Sequence, residues 1–390
     1  VGVSARELLR TLRRSGPLWT ASVALDRLLP YDVVGLWPET TVTPEVLASQ
    51  AREILLAWGM PEEHASVTVD HMLYADLRGI DSHGCGMLLH YHRGLLAGTL
   101  TAAARIEIVQ ETDATALVDG GGGLGHVPAD VAMKLAVEKG RAAGVGAVAV
   151  RNSGHFGAAG AYVAMAAEAG LIGLATTSTE RPSVVASGGV EAILGTNPIA
   201  FAAPAGRNPP FLLDMATSTA SLGKLLQIWR QGRPIPAGWA VDASGNTMTD
   251  GRAAADERRL TPLGGTPELG SHKGYGLGAM VEILSSVLPG SRSAVLPGAA
   301  GTGIGHFLLA LDPGRFRRRG EFEDELDLFL DSLRRSPPAD PSRPVQVPGD
   351  PERATAEQRR AGIALTRSVV EDLRAVAAAT GVPFMLDRGD

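Results

Sequence analysis

Cysteine is almost missing from this chain. Cys85 is the single one among 390 residues, so no disulfide can close within it. That usage fits a reducing compartment, which points to the cytoplasm. Long apolar runs are missing too, and none approaches the ~20 residues that a membrane span requires. No stretch forms a basic stripe, and the net charge is −6, so nucleic acid is not an expected partner. The nine histidines never fall in H-E-x-x-H or another metal-ligand spacing, so no catalytic metal is expected. There is no G-x-S-x-G elbow, which argues against a serine hydrolase.

Glycine, with 48 residues, is abundant and often sits beside polar residues, as turns and close backbone approaches require. The length suggests two or three domains. Residues 1–42 read as an N-terminal extension. "ARELLRTLRRSG" followed by "PLWTASVAL" has a faint export-signal pattern, but Leu8, Leu9 and Leu12 share a helix face, and a helical appendage is the reading adopted. Thr43 and Pro44 then mark a firm helix start. A second helix runs from Pro61 to about Leu77, Gly79 stops it, and the turn "DSHGCGML" follows. From residue 115 the pattern alternates strand and helix through "TALVD", "GHVPADVAMKLAVEKGRAAG", "VGAVAVRN", "GAAGAYVAMAAEAG" and "LIGLATTS", which predicts an α/β fold. "GYGLGAMVEILSSVL" reads as a buried helix, residues 335–352 as a Pro/Arg-rich linker or arm, and 357–382 as one closing helix.

Several stretches carry candidate chemistry. Gly120, Gly122 and Gly125 satisfy G-x-G-x-x-G after a strand, but the next strand ends in Arg151-Asn152 without the acid that a Rossmann site needs. A tightly packed glycine turn is the better reading. His155, in "RNSGHFGAAGAY", follows a strand and is flanked by small residues. It can carry a proton near neutral pH, or serve as a hydrogen-bonded core histidine. Thr196 and Asn197 precede Pro198 in a constrained turn, where a purely structural role is favoured. Asp214 follows an apolar strand and can orient a histidine, accept from a cofactor hydroxyl, or cap the next helix. Lys273, before a glycine-rich helix start, suits an anion or is a plain surface lysine.

Together, "YADLRGIDSHG", "RNSGHFGAAGAY", "GLIGLATTS", "GGVEAILGTNPIAFAAP", "FLLDMATS", "GWAVDASGNTMTD" and "HKGYGLG" resemble the type-2 malate/L-lactate dehydrogenases, in order and approximate spacing, from about residue 43 to 383. That family includes ureidoglycolate dehydrogenase, diketogulonate reductase and Δ1-piperideine-2-carboxylate reductase. The resemblance implies an α/β, non-Rossmann nicotinamide-binding fold with mixed sheets and surrounding helices. It implies an NAD- or NADP-dependent oxidoreductase acting on a C=O or C=N carbon of a small molecule, and a homodimer. A cofactor-binding domain is expected over 119–307, with 43–118 and 308–390 forming a helical, substrate-side and dimerisation region. By motif match, His83 and His155 resemble the proton-handling histidines and Ser82 a substrate-binding hydroxyl. Thr179, Asp214, Met215, Ala216 and Lys273 resemble cofactor contacts, and His306 lies in a segment that closes over the cofactor in relatives. Thr196 and Asn197 are expected beside the substrate.

One position departs from the family. Relatives usually carry an arginine four residues after the DSHG histidine, whose planar fork suits a substrate carboxylate. This chain has Met87 there. The substrate then lacks the carboxylate contact and is more apolar near Met87, another cation such as Arg93 or His92 replaces the clamp, or the scaffold has become a non-catalytic binding protein. The first is the favoured expectation, a reductase of specialised metabolism with an atypical substrate; a cyclic-imine reductase is a further alternative.

Overall fold

The computed structural model describes residues 40–291 and 303–387. The expected N-terminal helix lies outside the described residues.

The chain enters on strand β1 (Thr40–Val42) and turns into α1 (Pro44–Ala57). The Thr43 side chain accepts from Val46 N, and Pro44 takes the first helical position, as the sequence predicts. Leu47, Ala51, Ile54 and Leu55 form the buried face of α1. Helix α2 (Glu62–Leu77) ends before Gly79, whose φ of +77° lies in the left-handed region that side-chain-bearing residues avoid. Two 3-10 turns, Asp81–His83 and Cys85–Met87, lead into α3 (Leu88–Leu96).

Strands β2 (Glu107–Glu111) and β3 (Thr115–Asp119) come next, then α4 (His126–Ala143), β4 (Val145–Ser153), α5 (Ala159–Glu168) and β5 (Ile172–Thr177). Short strands β6 (Val184–Val185) and β7 (Ala192–Leu194) pair with each other. They are followed by β8 (Ile199–Ala203), β9 (Phe211–Met215), α6 (Leu222–Arg230), α7 (Gly251–Glu257), α8 (Ser271–Glu282) and β10 (Ile304–Leu311). The chain closes through α9 (Glu321–Arg334), α10 (Asp350–Arg359), β11 (Ile363–Leu365) and α11 (Arg367–Thr380).

The central sheet has the order β2-β3-β4-β10-β5-β8-β9. Only β3 and β4, joined through α4, run parallel; the other neighbours are antiparallel. A Rossmann sheet is mostly parallel, so the glycines at 120–125 belong to a different fold. Their tight packing has a direct cause: a Cβ on Gly125 would lie 2.1 Å from the Gly154 carbonyl oxygen. Helices α4 and α5 cover the sheet, with Met133, Ala136, Tyr162, Val163, Val148, Val150 and Leu308 sharing one core.

A second core is helical. Leu47, Ile54, Met72, Leu88 and Tyr91 join Ile363, Val370, Leu373 and Val376 from the far end of the chain. A small third core gathers Leu194, Leu225, Ile228, Ile235 and Leu260. The boundaries expected at 118/119 and 307/308 fall inside β3 and β10, both strands of the central sheet.

Two sequence expectations are corrected. Residues 357–382 are not one helix. Ile363–Leu365 pair with β1, and Gly362 is pressed so close that a Cβ there would lie 2.6 Å from Thr41 Cγ2. Long-range strand pairing overrides local helical pattern at this point. Nor is the segment 274–288 buried all round: Met280, Ile283, Val287 and Leu288 are 37%, 57%, 61% and 57% exposed.

Helix and sheet backbones also press together at Gly146, where a Cβ would lie 2.0 Å from the backbone oxygen of Ala136 in α4. Backbone against backbone leaves no side chain to move aside. Gly146→Ala is expected to lower unfolding free energy by about 1–3 kcal/mol, read by urea denaturation.

Candidate active site

The DSHG turn is held from beneath. Asp76, near the end of α2, accepts from Cys85 N through Oδ2 at 2.8 Å. A Cβ on Gly84 would lie 1.9 Å from Asp76 Oδ1, so this turn tolerates only glycine there. Burial pushes the Asp76 carboxyl up to about 6. Arg359 of α10 donates to the Asp76 carbonyl oxygen and pairs with the Asp81 carboxylate. Asp81 therefore fixes the turn. Cys85 is fully buried, and burial followed by the nearby Asp76 charge pushes its thiol well up. It is a small filler, since a nucleophilic thiol needs the opposite shift.

This clamped turn presents Ser82 and His83, with Ser82 Oγ 2.7 Å from His83 Nδ1. Opposite, the loop after β4 presents His155. The two imidazoles lie 5.2 Å apart, centroid to centroid. His155 Nδ1 is 2.7 Å from the Tyr91 hydroxyl and 3.4 Å from Gly157 N. An amide N–H can only donate, so Nδ1 is the accepting nitrogen and the ring proton sits on Nε2. Burial holds the His155 imidazole well below the usual histidine range, and His83, His126 and His90 push it the same way. Burial also lowers His83. Tyr91, from α3, is buried, which keeps its phenol protonated. The site is thus a pair of neutral imidazoles facing each other, one from the helical core and one from the sheet.

Met87 sits one residue before α3 and four before Tyr91. It is half-buried and packs against the helical core. His92, a possible replacement cation, is stacked on Trp58 at 5.8 Å, and burial lowers its imidazole. It does not take the place of a guanidinium fork.

The residues expected around the cofactor largely converge. Register sets Thr176 opposite Ile199, and Ile199 opposite Met215. Thr179, Thr196 and Ala216 therefore leave the sheet at one end, the same end at which β4 releases the His155 loop. A Cβ on Gly195 would lie 1.7 Å from Thr179 Oγ1, so this cradle is shaped by backbone. Thr217 N donates to the Thr196 carbonyl at 2.9 Å, and Leu263 N to the Thr217 carbonyl at 2.9 Å. That links the cradle to the first turn of α8, where Lys273 is exposed and meets no carboxylate among the described residues. An open backbone cradle beside a lysine on a helix N-terminus suits a phosphate-bearing dinucleotide. Asp214 caps α5, an earlier helix than expected, accepting from Gly160 N at 2.7 Å. Burial pushes its carboxyl up to about 6.

Two residues expected at the site are fully buried. Asn197 is fully buried, with φ +35°, and its amide nitrogen donates to the Gly278 carbonyl (3.0 Å) and Glu282 (2.8 Å). It ties α8 to the sheet, while its Oδ1 is buried without a hydrogen-bond partner among the described residues. His306 is fully buried within β10, with Nε2 2.9 Å from Ser153 Oγ and Nδ1 2.7 Å from Thr177 Oγ1. Both nitrogens are occupied, and burial lowers the ring to about 3. Sequence reasoning missed Tyr91, Asp76 and His126. His126 opens α4 and lies edge-on to Tyr91 at 5.8 Å, with neither ring nitrogen partnered. No spacing rule connects residues 64 positions apart, as Tyr91 and His155 are.

Comparison with known proteins agrees with this geometry. The malate/L-lactate dehydrogenase family profile matches residues 42–374. The malate dehydrogenase of Pyrococcus horikoshii is 40% identical over 334 residues, 84% of this chain and 92% of that protein. The crystal structure of malate dehydrogenase from Entamoeba histolytica superposes with a TM-score of 0.83 at 32% identity, covering 88% of this chain and 99% of that one. Δ1-piperideine-2-carboxylate reductase from Pseudomonas syringae pvar. tomato gives 0.76 at 30% identity, over 86% and 99%. With its mixed sheet, its facing histidines and these matches over most of its length, the chain belongs to the malate/L-lactate dehydrogenase family of NAD- or NADP-dependent oxidoreductases.

Proposed function

We propose that this enzyme transfers hydride to or from a C=O or C=N carbon of a small molecule that is apolar where its relatives' substrates present a carboxylate. The observation that carries this reading is Met87, set against the helical core directly before the helix that supplies Tyr91. A thioether cannot pair with a carboxylate, and an unpaired carboxylate in a dry site is costly.

When bound, the nicotinamide supplies or accepts the hydride. The chain's own residues handle position and proton. His155 presents Nε2 to the substrate heteroatom while Nδ1 rests on Tyr91. Ser82 and His83 line the opposite wall. For reduction His155 first binds a second proton; the imidazolium then gives its Nε2 proton to the heteroatom and is left neutral with the remaining proton on Nδ1, facing the Tyr91 oxygen. The reverse direction starts from that Nδ1–H form, whose free Nε2 takes the substrate proton. A positioned acid–base group of this kind is worth about 10²–10⁴-fold. Thr179, Met215, Ala216 and Lys273 form the proposed cofactor cradle, with Thr196 at its rim. The similarity to a piperideine-carboxylate reductase keeps a C=N carbon within the proposed substrate class.

We also propose a cytoplasmic homodimer. The exposed row Met280, Ile283, Val287 and Leu288 along α8 and the turn after it is a contiguous apolar face, of the kind subunit interfaces cover.

The central experiment is a panel of ketones, imines and 2-oxo acids with NADH and NADPH. Apolar ketones or imines are expected to turn over faster than pyruvate or oxaloacetate, and Met87→Arg to gain 2-oxo acid activity. Efficient wild-type reduction of pyruvate or oxaloacetate, with no gain in Met87→Arg, sinks the substrate reading. His155→Gln is expected to lose about 10²–10⁴-fold in kcat with NADH affinity unchanged. Light scattering is expected to give twice the chain's mass, falling to one chain in Ile283→Lys.

A further inference from the structure

Behind His155 runs a column of four stacked rings. His71 of α2 lies 4.5 Å from Tyr162 of α5, Tyr162 lies 4.8 Å from Phe156, and Phe156 lies 4.5 Å from His306 at an interplanar angle of 9°. All four side chains are buried. Both ends are tied. His71 Nε2 is 3.2 Å from Asp130 Oδ1, and Asp130 pairs with Lys134 at 2.7 Å. At the other end, Ser153 and Thr177 hold both nitrogens of His306. In the middle, the Tyr162 hydroxyl donates to the Phe156 carbonyl at 2.5 Å. Phe156 is the residue after His155, and the column grips it by ring and by backbone.

The loop itself is poorly self-restrained. Gly154 and Gly157 flank His155 and Phe156, and Gly157 has φ +77°. One backbone bond, Gly125 N to the His155 carbonyl at 3.0 Å, holds it from the α4 side. The side-chain direction of His155 depends on the peptide that follows, which is where the column acts. A misplacement of about 1 Å at a reacting group costs on the order of 10²-fold in rate.

We propose that His71, Tyr162 and His306 are positioning residues for proton transfer: the ring column fixes the Phe156 peptide and thereby aims His155 at the substrate heteroatom. This rests on the reading of His155 as the proton carrier. Burial then has a consequence that can be measured. The packed loop leaves His155 only partly exposed and holds its imidazole low. A loosened loop admits water, and the imidazole moves up toward the ordinary histidine range.

Tyr162→Phe keeps the ring and removes only the hydroxyl bond to Phe156. With the best alcohol or amine substrate of the panel, kcat is expected to fall about tenfold. The acid limb of the kcat/KM profile is expected to move to higher pH, while NADH affinity and melting temperature stay near wild type. His71→Phe, which keeps the stack and cuts the Asp130 tie, is expected to show the same signature more weakly. An unchanged kcat and an unchanged pH profile in both variants overturns the proposal, even if melting temperature drops. Should Tyr162→Phe not fold, His71→Phe alone decides, on the same two readouts. His155→Gln separates the two readings. If it is fully active, the proton-carrier assignment itself fails. If it is inactive while both column variants behave as wild type, only the column fails.

Discussion

Everything at the site hangs on one hydrogen bond across a seam, from the Tyr91 hydroxyl to His155 Nδ1. Tyr91 belongs to the helical core, and His155 to a loop of the central sheet. Neither body contains a working pair alone. The bond anchors Nδ1, leaves Nε2 without a role in it, and demands that two separately built cores meet in register. The surrounding features serve that demand: the Asp76 carboxylate beneath the DSHG turn, the Arg359 strut from α10, and the glycines that let backbone approach backbone.

The seam also explains why the site's imidazoles are neutral. Five histidines, at 71, 83, 126, 155 and 306, gather within or behind it, and burial disfavours charge on those that shift. A cluster of charged imidazoles would repel itself apart. A cluster of neutral ones can stack, accept and donate, and one member can take a proton when a developing negative charge on substrate makes it favourable. The low proton affinity of free His155 is therefore the resting half of a cycle in which the substrate provides the missing stabilisation.

Much of this fold was legible in the sequence because its signals are local. Thr43 with Pro44, the left-handed Gly79 and the strand–helix alternation from 115 to 177 each specify themselves within a few residues. The break at 360–366 was not, since only pairing with β1, more than 300 positions earlier, turns a helical pattern into a strand. At the site, motif order singled out His83 and His155, which the fold sets 5.2 Å apart. It could not distinguish a histidine in a loop, as His155 is, from one locked in a strand, as His306 is, because a glycine directly precedes both. Nor could the sequence show that the Asn197 amide nitrogen ties α8 to the sheet, a contact over more than 80 positions. Tyr91 was invisible because its role arises only when two cores dock.

Strand β10 carries a consequence for how the chain is made. It occupies the middle of the sheet, between β4 and β5, yet it is supplied by residues 304–311. During synthesis, β4 and β5 emerge well over a hundred residues before the strand that separates and joins them. Both are largely buried in the finished sheet and cannot pair correctly with each other. Their open edges must stay unsatisfied, or be shielded by a chaperone, until the third quarter of the chain has passed. The sheet that carries the His155 loop is thus a late event in the life of the polypeptide, completed from its centre rather than from its rim.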